Sequence, residues 1–301
     1  MRFKHIVSAV AVGACFNGAA LAEELTGTLK KIKDTGAITL GHRESSVPFS
    51  YYDDKQQVVG YAMDLCYKVV DAVKAELKMD KLEVKLNPVT SATRIPLIAN
   101  GTVDLECGST TNNLEREKQV GFTITHFVTA NKFVSKKSAN LKTVDDLKGK
   151  TIASTSGTTN IKQITEIGAQ KNLGLNILAA KDHAEAFLMV ETDRAAAFVM
   201  DDILLYSLVA ESKAPGDYVI SADPLSVEPY GIMLRRDDPA FKKVVDAAMT
   251  NIYKSGAINA IYEKWFEKPI PPKGINLNLP MSPAFKKVVA NPTDSGDPAA
   301  Y

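Results

Sequence analysis

From residue 38 onward the spacing of apolar positions switches repeatedly between a period of two and a period of 3.6. Residues 38–41 read as a strand. Residues 63–77 place Met63, Cys66, Val69, Val70, Val73 and Leu77 at helical spacing with charges between them. A strand is expected at 83–86, a short helix at 94–99 stopped by Asn100 and Gly101, and another strand at 103–107. This βαβαβ order predicts an α/β domain with a mostly parallel sheet covered by helices.

A second unit of the same kind begins after Val134. A short helix at 141–147 leads to strands at 151–154, 177–180, 196–200 and 218–220, separated by helices at 160–169, 184–191 and 202–210. A strand at 230–234 and two helices, 239–255 and 258–266, return to the first pattern. The tail from Lys268 is rich in Pro, Asn and Gly, and is expected to drape over the surface with one short helix at 284–289 and then fray. The two halves share a pattern rather than residues, and 301 residues suffice for two cores.

The first residues depart from this alternation. Arg2 and Lys4 precede an apolar run at 6–16, and Ala20-Leu21-Ala22 precedes Glu23. That is a basic start, a short hydrophobic stretch and an A-x-A site, so residues 1–22 are expected to be a secretory signal cleaved after Ala22. A competing cut would make Cys15 a lipid anchor, but the sequence before it matches a lipobox less well. The remaining cysteines, Cys66 and Cys107, fall on a helix and a strand that pack together in this scheme. A disulfide and two buried free thiols both fit. Net charge is +1, from 36 basic and 35 acidic residues well interspersed. No run of like charge suggests a nucleic-acid arm or polybasic membrane anchor, and no Cys/His spacing resembles a zinc site.

Six polar segments fall just after expected strands. His42-Arg43-Glu44-Ser45 follows the first. Ser91 precedes Arg94 by three residues at the start of a helix, so a hydroxyl and a planar fork of donors project from one turn. Taken alone, a capping residue followed by a solvated arginine is the plainer account. Gly108-Ser109-Thr110-Thr111 ends a strand. Ser154 to Asn160 is a glycine- and hydroxyl-rich strand-to-helix turn without the lysine or spacing of a phosphate loop, which favours a carboxylate. Lys181-Asp182-His183 and Met200-Asp201-Asp202 complete the set; as a helix cap Asp202 has a simpler reading. Ligands sit beyond the carboxyl ends of parallel strands. Two such rims facing each other would hold a small zwitterion with more than one carboxylate.

These segments carry a resemblance. GHRESSVPFSYYDDKQQVVGYAMDLC, TSATRIPLIANGTVDLECGSTTN, TSGTTN, AKDH, FVMDD and EKWF are similar to the periplasmic glutamate/aspartate-binding proteins, solute receptors of polar-amino-acid ABC transporters, over about residues 29–291. The resemblance implies a two-lobed α/β fold of the type II periplasmic-binding class, with lobe 1 at 30–129 and 231–268, lobe 2 at 130–229, and an extension at 269–301. The crossing strands would lie near 130–134 and 226–230. It also implies a non-catalytic monomeric receptor without cofactor, whose partners are L-glutamate or L-aspartate and the transporter's permease subunits. Arg94, Thr111 and Thr159 would hold the α-carboxylate, and Ser109 and Asp201 the ammonium. Arg43, Ser91 and His183 would surround the side-chain carboxylate. The residues support the same count, because an acidic amino acid needs two cationic partners where a neutral one needs one. The rival is an exported enzyme on this scaffold, a cyclohexadienyl-dehydratase-like activity with Glu106 or His183 as acid or base, but no nucleophile–base–orienter set accompanies it.

Overall fold

The computed structural model describes residues 24–301. The expected signal segment 1–22, its expected cleavage site and Cys15 lie outside the described residues. The chain opens with α1 (Gly27–Thr35), β1 (Ala37–His42) and a three-stranded ribbon of β2 (Ser45–Ser46), β3 (Ser50–Tyr52) and β4 (Val58–Val59). Then come α2 (Tyr61–Glu76), β5 (Glu83–Pro88), α3 (Arg94–Ala99), β6 (Leu105–Cys107), β7 (Gly121–Phe122) and the long β8 (Phe127–Lys136). The second unit holds β9 (Thr151–Thr155), α4 (Thr159–Gln170), β10 (Asn176–Ala180), α5 (His183–Glu191), β11 (Ala197–Asp201), α6 (Asp202–Glu211) and β12 (Tyr218–Ile220). The chain returns through β13 (Ser226–Tyr230) and β14 (Met233–Leu234) to α7 (Pro239–Lys254), α8 (Ala257–Tyr262) and α9 (Pro283–Ala290).

These elements form two α/β lobes. The first sheet has the order β5-β1-β6-β14-β7, and the second β10-β9-β11-β8-β12. In each, three strands are parallel (β5, β1, β6 and β10, β9, β11) and the rest are antiparallel. The register decides what meets at the rims. His42 pairs with both Pro88 and Cys107, so the turns carrying Arg43, Ser91 and Ser109 leave the first sheet at one level. Thr155 pairs with Ala180, and Ser154 with Val199, which brings the starts of α4, α5 and α6 to one level on the second sheet.

The lobes are joined where β8 and β13 run antiparallel, from Phe127 beside Tyr230 to Asn131 beside Ser226. The crossing therefore starts three residues before the 130–134 expected, because the second half of β8 is already an interior strand of the second sheet. The single strand expected at 230–234 is interrupted at Gly231, where a Cβ would lie 3.1 Å from the Phe122 ring.

Helix α2 buries the face its spacing predicted, including Met63, Cys66, Val69, Val70 and Val73. Full burial of such a side chain contributes about 1.5–3 kcal/mol. Cys66 and Cys107 are joined by a disulfide, with their Cα atoms 6.2 Å apart, which pins β6 to α2. Beneath the crossing strands lies an aromatic cluster: Phe49 packs on Phe127 and Tyr230 with ring centroids 5.1 and 5.2 Å apart, and Phe127 stacks on Phe266 at 4.9 Å.

The tail does not fray as expected. The Thr125 amide donates to the Thr293 carbonyl at 2.8 Å, Asn112 Nδ2 to the Asp294 carbonyl at 2.7 Å, and Tyr301 Oη lies 2.6 Å from Thr125 Oγ1. Phe285 and Val288 of α9 are buried. Proline and glycine content overstated its looseness, because these contacts are long-range and leave no periodic mark.

Candidate ligand-binding site between the lobes

The two rims close on a small cavity lined by residues of both lobes. Seven of the eight residues singled out from sequence line it: Ser91, Arg94, Ser109 and Thr111 from the first lobe, and Thr159, His183 and Asp201 from the second. The eighth, Arg43, stands directly behind Ser91 and donates to its hydroxyl from Nη2 at 2.9 Å. The polar turns are therefore one site.

On the first lobe the side chains are locked by neighbours in sequence. The backbone amide of Arg43 donates to Ser50 Oγ at 2.8 Å, so the small β2–β3 ribbon fixes the arginine. Arg94 opens α3 and is 2% exposed, which rules out the solvated reading. Its Nη1 donates to Thr110 Oγ1 at 2.5 Å, and that hydroxyl donates to Glu106 Oε2 at 2.6 Å. Glu106 thus lies beneath the floor of the cleft as a counter-charge to the two arginines rather than as an exposed acid. Gly108 is needed here, because a Cβ would lie 2.3 Å from Glu106 Oε1.

On the second lobe, helix starts do the positioning. Thr158 caps α4, and Thr159 Oγ1 donates to Glu228 Oε2 at 3.0 Å. Asp182 caps α5 by accepting from the Glu185 amide, which leaves His183 in the first turn with Nδ1 2.8 Å from Thr155 Oγ1. Asp201 Oδ1 accepts from Asn160 Nδ2 at 2.7 Å, and Oδ2 from the Tyr230 hydroxyl. Asp202 is not the cap its position suggested. It accepts from Thr129 Oγ1 and pairs with Lys132 at 3.4 Å.

The electrostatics point to an anion. Arg43 and Arg94 form no ion pair among the described residues. Burial, with Arg94 nearby, pulls the Arg43 guanidinium down to about 10, and burial lowers Arg94 as well. Burial and then the two arginines hold His183 well below the ordinary histidine range, so its imidazole is neutral. Asp201 goes the other way, pushed up to about 7 by burial and then by the charge of Glu228. Arg43 Nη1, Arg94 Nε, Ser109 Oγ and His183 Nε2 are buried without a protein partner. Such atoms are rare in native proteins, and three on residues lining one cavity with a fourth directly behind it mark a place where a ligand could complete the hydrogen bonding. Among the described residues no group of three or more His, Cys, Asp or Glu could hold a metal.

Several members escaped the sequence reading. Asn160, Thr155 and Tyr230 orient the groups that line the cavity, and Met200 and Leu204 give it an apolar side. Asn160 lay inside the TSGTTN turn and could have been singled out with it. Arg116 is 7% exposed beside the site, yet its setting in LEREK is that of a solvated charged helix.

The family of bacterial extracellular solute-binding proteins, family 3, matches residues 38–268. The chain belongs to this family. Among its relatives, the L-glutamate/L-aspartate-binding protein of Pseudomonas aeruginosa is 54% identical over 290 residues, 96% of each chain. The glutamate/aspartate import solute-binding protein of Escherichia coli is 43% identical and covers 98% of this chain and 99% of its own. Of solved structures, a mutant of ArgBP from T. maritima superposes with a TM-score of 0.71 at 27% identity, over 80% of this chain and all of the other. The cleft described above thus belongs to a fold used by family 3 receptors, and its residues set what this one takes.

Proposed function

We propose that the protein is an exported receptor that captures L-glutamate or L-aspartate between its lobes and delivers it to an ABC importer in the membrane. The observation that carries this reading is a pair of buried arginines, Arg94 lining the cleft and Arg43 directly behind Ser91, neither with a carboxylate ion-pair partner among the described residues, while Asp201 lines the cleft from the other lobe. An acidic amino acid supplies the complement, two carboxylates and one ammonium. The relatives named for glutamate and aspartate support it, at 43–54% identity.

Arg94, Thr111 and the start of α4 at Thr159 hold the α-carboxylate, the helix end adding its positive dipole. Asp201 and Ser109 hold the ammonium. Arg43, Ser91 and His183 hold the side-chain carboxylate; a carboxylate at Nε2 selects the tautomer in which Nε2 carries hydrogen and Nδ1 accepts from Thr155. Lobe 1 comprises 30–129 and 231–268 and lobe 2 130–229, and the bridging ligand holds them closed. The membrane subunits read that closed shape, and the chain works as a monomer in the periplasm. Among the described residues no helix is long and apolar enough to cross a membrane.

The reading is non-catalytic. Of the two groups an enzyme on this scaffold would use as acid or base, Glu106 accepts from Thr110 through Oε2 under the floor, and His183 Nδ1 lies against Thr155. A thermal-shift screen of amino acids against the mature chain, followed by recovery of the bound compound, tests the proposal. Glutamate or aspartate should give the largest shift and be recovered unchanged. A larger shift with a neutral or basic amino acid, or turnover of the ligand, would overturn it.

A further inference from the structure

Arg116 begins a short 3₁₀ turn, Arg116–Lys118, on the first lobe, and its guanidinium is used in an unusual way. Nη1 donates to the Thr111 carbonyl at 2.8 Å and Nη2 to the Gly157 carbonyl at 3.3 Å. Among the described residues it has no carboxylate within ion-pair distance; Glu228, Asp201 and Glu106 act on it only at longer range. Thr111 belongs to the first lobe. Gly157 belongs to the second, two residues before Thr159. A single planar fork therefore spans the cleft and binds one backbone carbonyl on each side, through two separate nitrogens held in a fixed geometry.

A second observation concerns the same turn from its other face. Gly157 has φ +76°, and a Cβ there would lie 2.5 Å from Ala92 Cα and 2.7 Å from Ala92 N. The turn meets the first lobe backbone to backbone, right after Ser91. It is thus gripped between Ala92, which follows Ser91, and Arg116, which is bonded to the Thr111 carbonyl, while Arg116 and Gly157 do not line the cavity themselves.

We infer that Arg116 is a positioning residue, a clasp that holds the Gly157 turn against the first lobe and so sets the spacing of Thr111 and Thr159 across the closed cleft. The bond to Thr111 lies within one lobe and persists when the lobes part. The bond to Gly157 and the Ala92 contact exist only when they are together. The clasp therefore prolongs the closed state and slows ligand escape, with little effect on entry. The inference deepens the function proposed above and rests on it for the identity of the ligand alone.

The test compares wild type with Arg116→Lys, Gly157→Ala and the double variant, measuring association and dissociation rates of L-glutamate by surface plasmon resonance. If the wild-type chain fails to bind glutamate, the proposed function falls, and the rates are measured with the amino acid that gives its largest thermal shift. Each single variant should raise the dissociation rate about 10- to 100-fold, the range for losing one hydrogen bond to a charged group, with association within about threefold. The double variant should be no worse than the worse single, since either change alone releases the same turn from the first lobe. Gly174→Ala is the control for backbone strain: its φ is +58° and nothing lies within 4 Å of the added carbon, so its rates should match wild type. The clasp is overturned if Gly157→Ala leaves dissociation within twofold of wild type, or if the two single effects add in the double. Should Arg116→Lys fail to fold, Gly157→Ala against Gly174→Ala decides the question.

Discussion

The Tyr230 hydroxyl donates to Asp201 Oδ2, so a residue of the crossing strand β13 orients the acid that faces the cleft. Asn160 takes the other oxygen at 2.7 Å. These two bonds favour the carboxylate, but burial and the nearby charge of Glu228 outweigh them and push Asp201 up to about 7.

An ammonium beside Asp201 reverses that balance. Binding of glutamate below about pH 7 should therefore release a proton, and affinity should rise from pH 5.5 to 7.5 and then level off. His183, held low by burial and the arginines, contributes in the opposite direction as a ligand carboxylate nears it, so the difference from Asp201→Asn isolates the acid. Calorimetry in two buffers of different ionisation enthalpy measures the proton count. Glutarate, which has no amine, should lose less affinity than glutamate in Asp201→Asn. Equal proton release by wild type and variant would dismiss the assignment.

Arg43→Ala removes the cation assigned to the side-chain carboxylate, leaving Ser91 without its donor. Glutamate affinity should fall by about 2–5 kcal/mol, and the preference over glutamine should shrink. Titrations with both amino acids separate this outcome from a general loss, which would show equal weakening of the two.

Thr110 is fully buried and passes a hydrogen bond from Arg94 to Glu106. Thr110→Val keeps the shape but breaks both links. A charged-group hydrogen bond contributes about 1.5–3 kcal/mol, so glutamate should bind at least tenfold more weakly and the melting temperature should drop. Unchanged affinity on isothermal titration would place the relay outside the binding apparatus.

The Cys66–Cys107 bridge closes a loop with a sequence separation of 41 residues. Its loss in a Cys66→Ser/Cys107→Ser variant should lower stability by about 2–4 kcal/mol. Chemical denaturation with and without reductant gives the value, and the double serine variant should not respond to reductant.

Much of this molecule was legible because its chemistry follows directly upon its strands. Arg94–Ala99 formed as the helix its sequence announced. Arg43, Ser91, Ser109 and His183 converged because parallel strands in register end at one level. Arg116 was hidden for the opposite reason: nothing local distinguishes an arginine buried by a second lobe from one facing water. The Glu106 side chain was equally ambiguous from a strand period of two, since its direction depends on Thr110 and Arg94. The tail contacts, made over a hundred residues or more, left no local trace at all.

The disulfide has a consequence beyond stability. Cys107 is the last residue of β6, and the next four residues include Ser109, Thr110 and Thr111. The bridge therefore anchors the strand end from which Ser109 and Thr111 enter the cleft. Such a bond persists only where thiols are oxidised. A chain retained among reducing proteins would hold this edge by packing alone. The covalent hold on the strand end that carries Ser109 and Thr111 is therefore available only in an oxidising compartment.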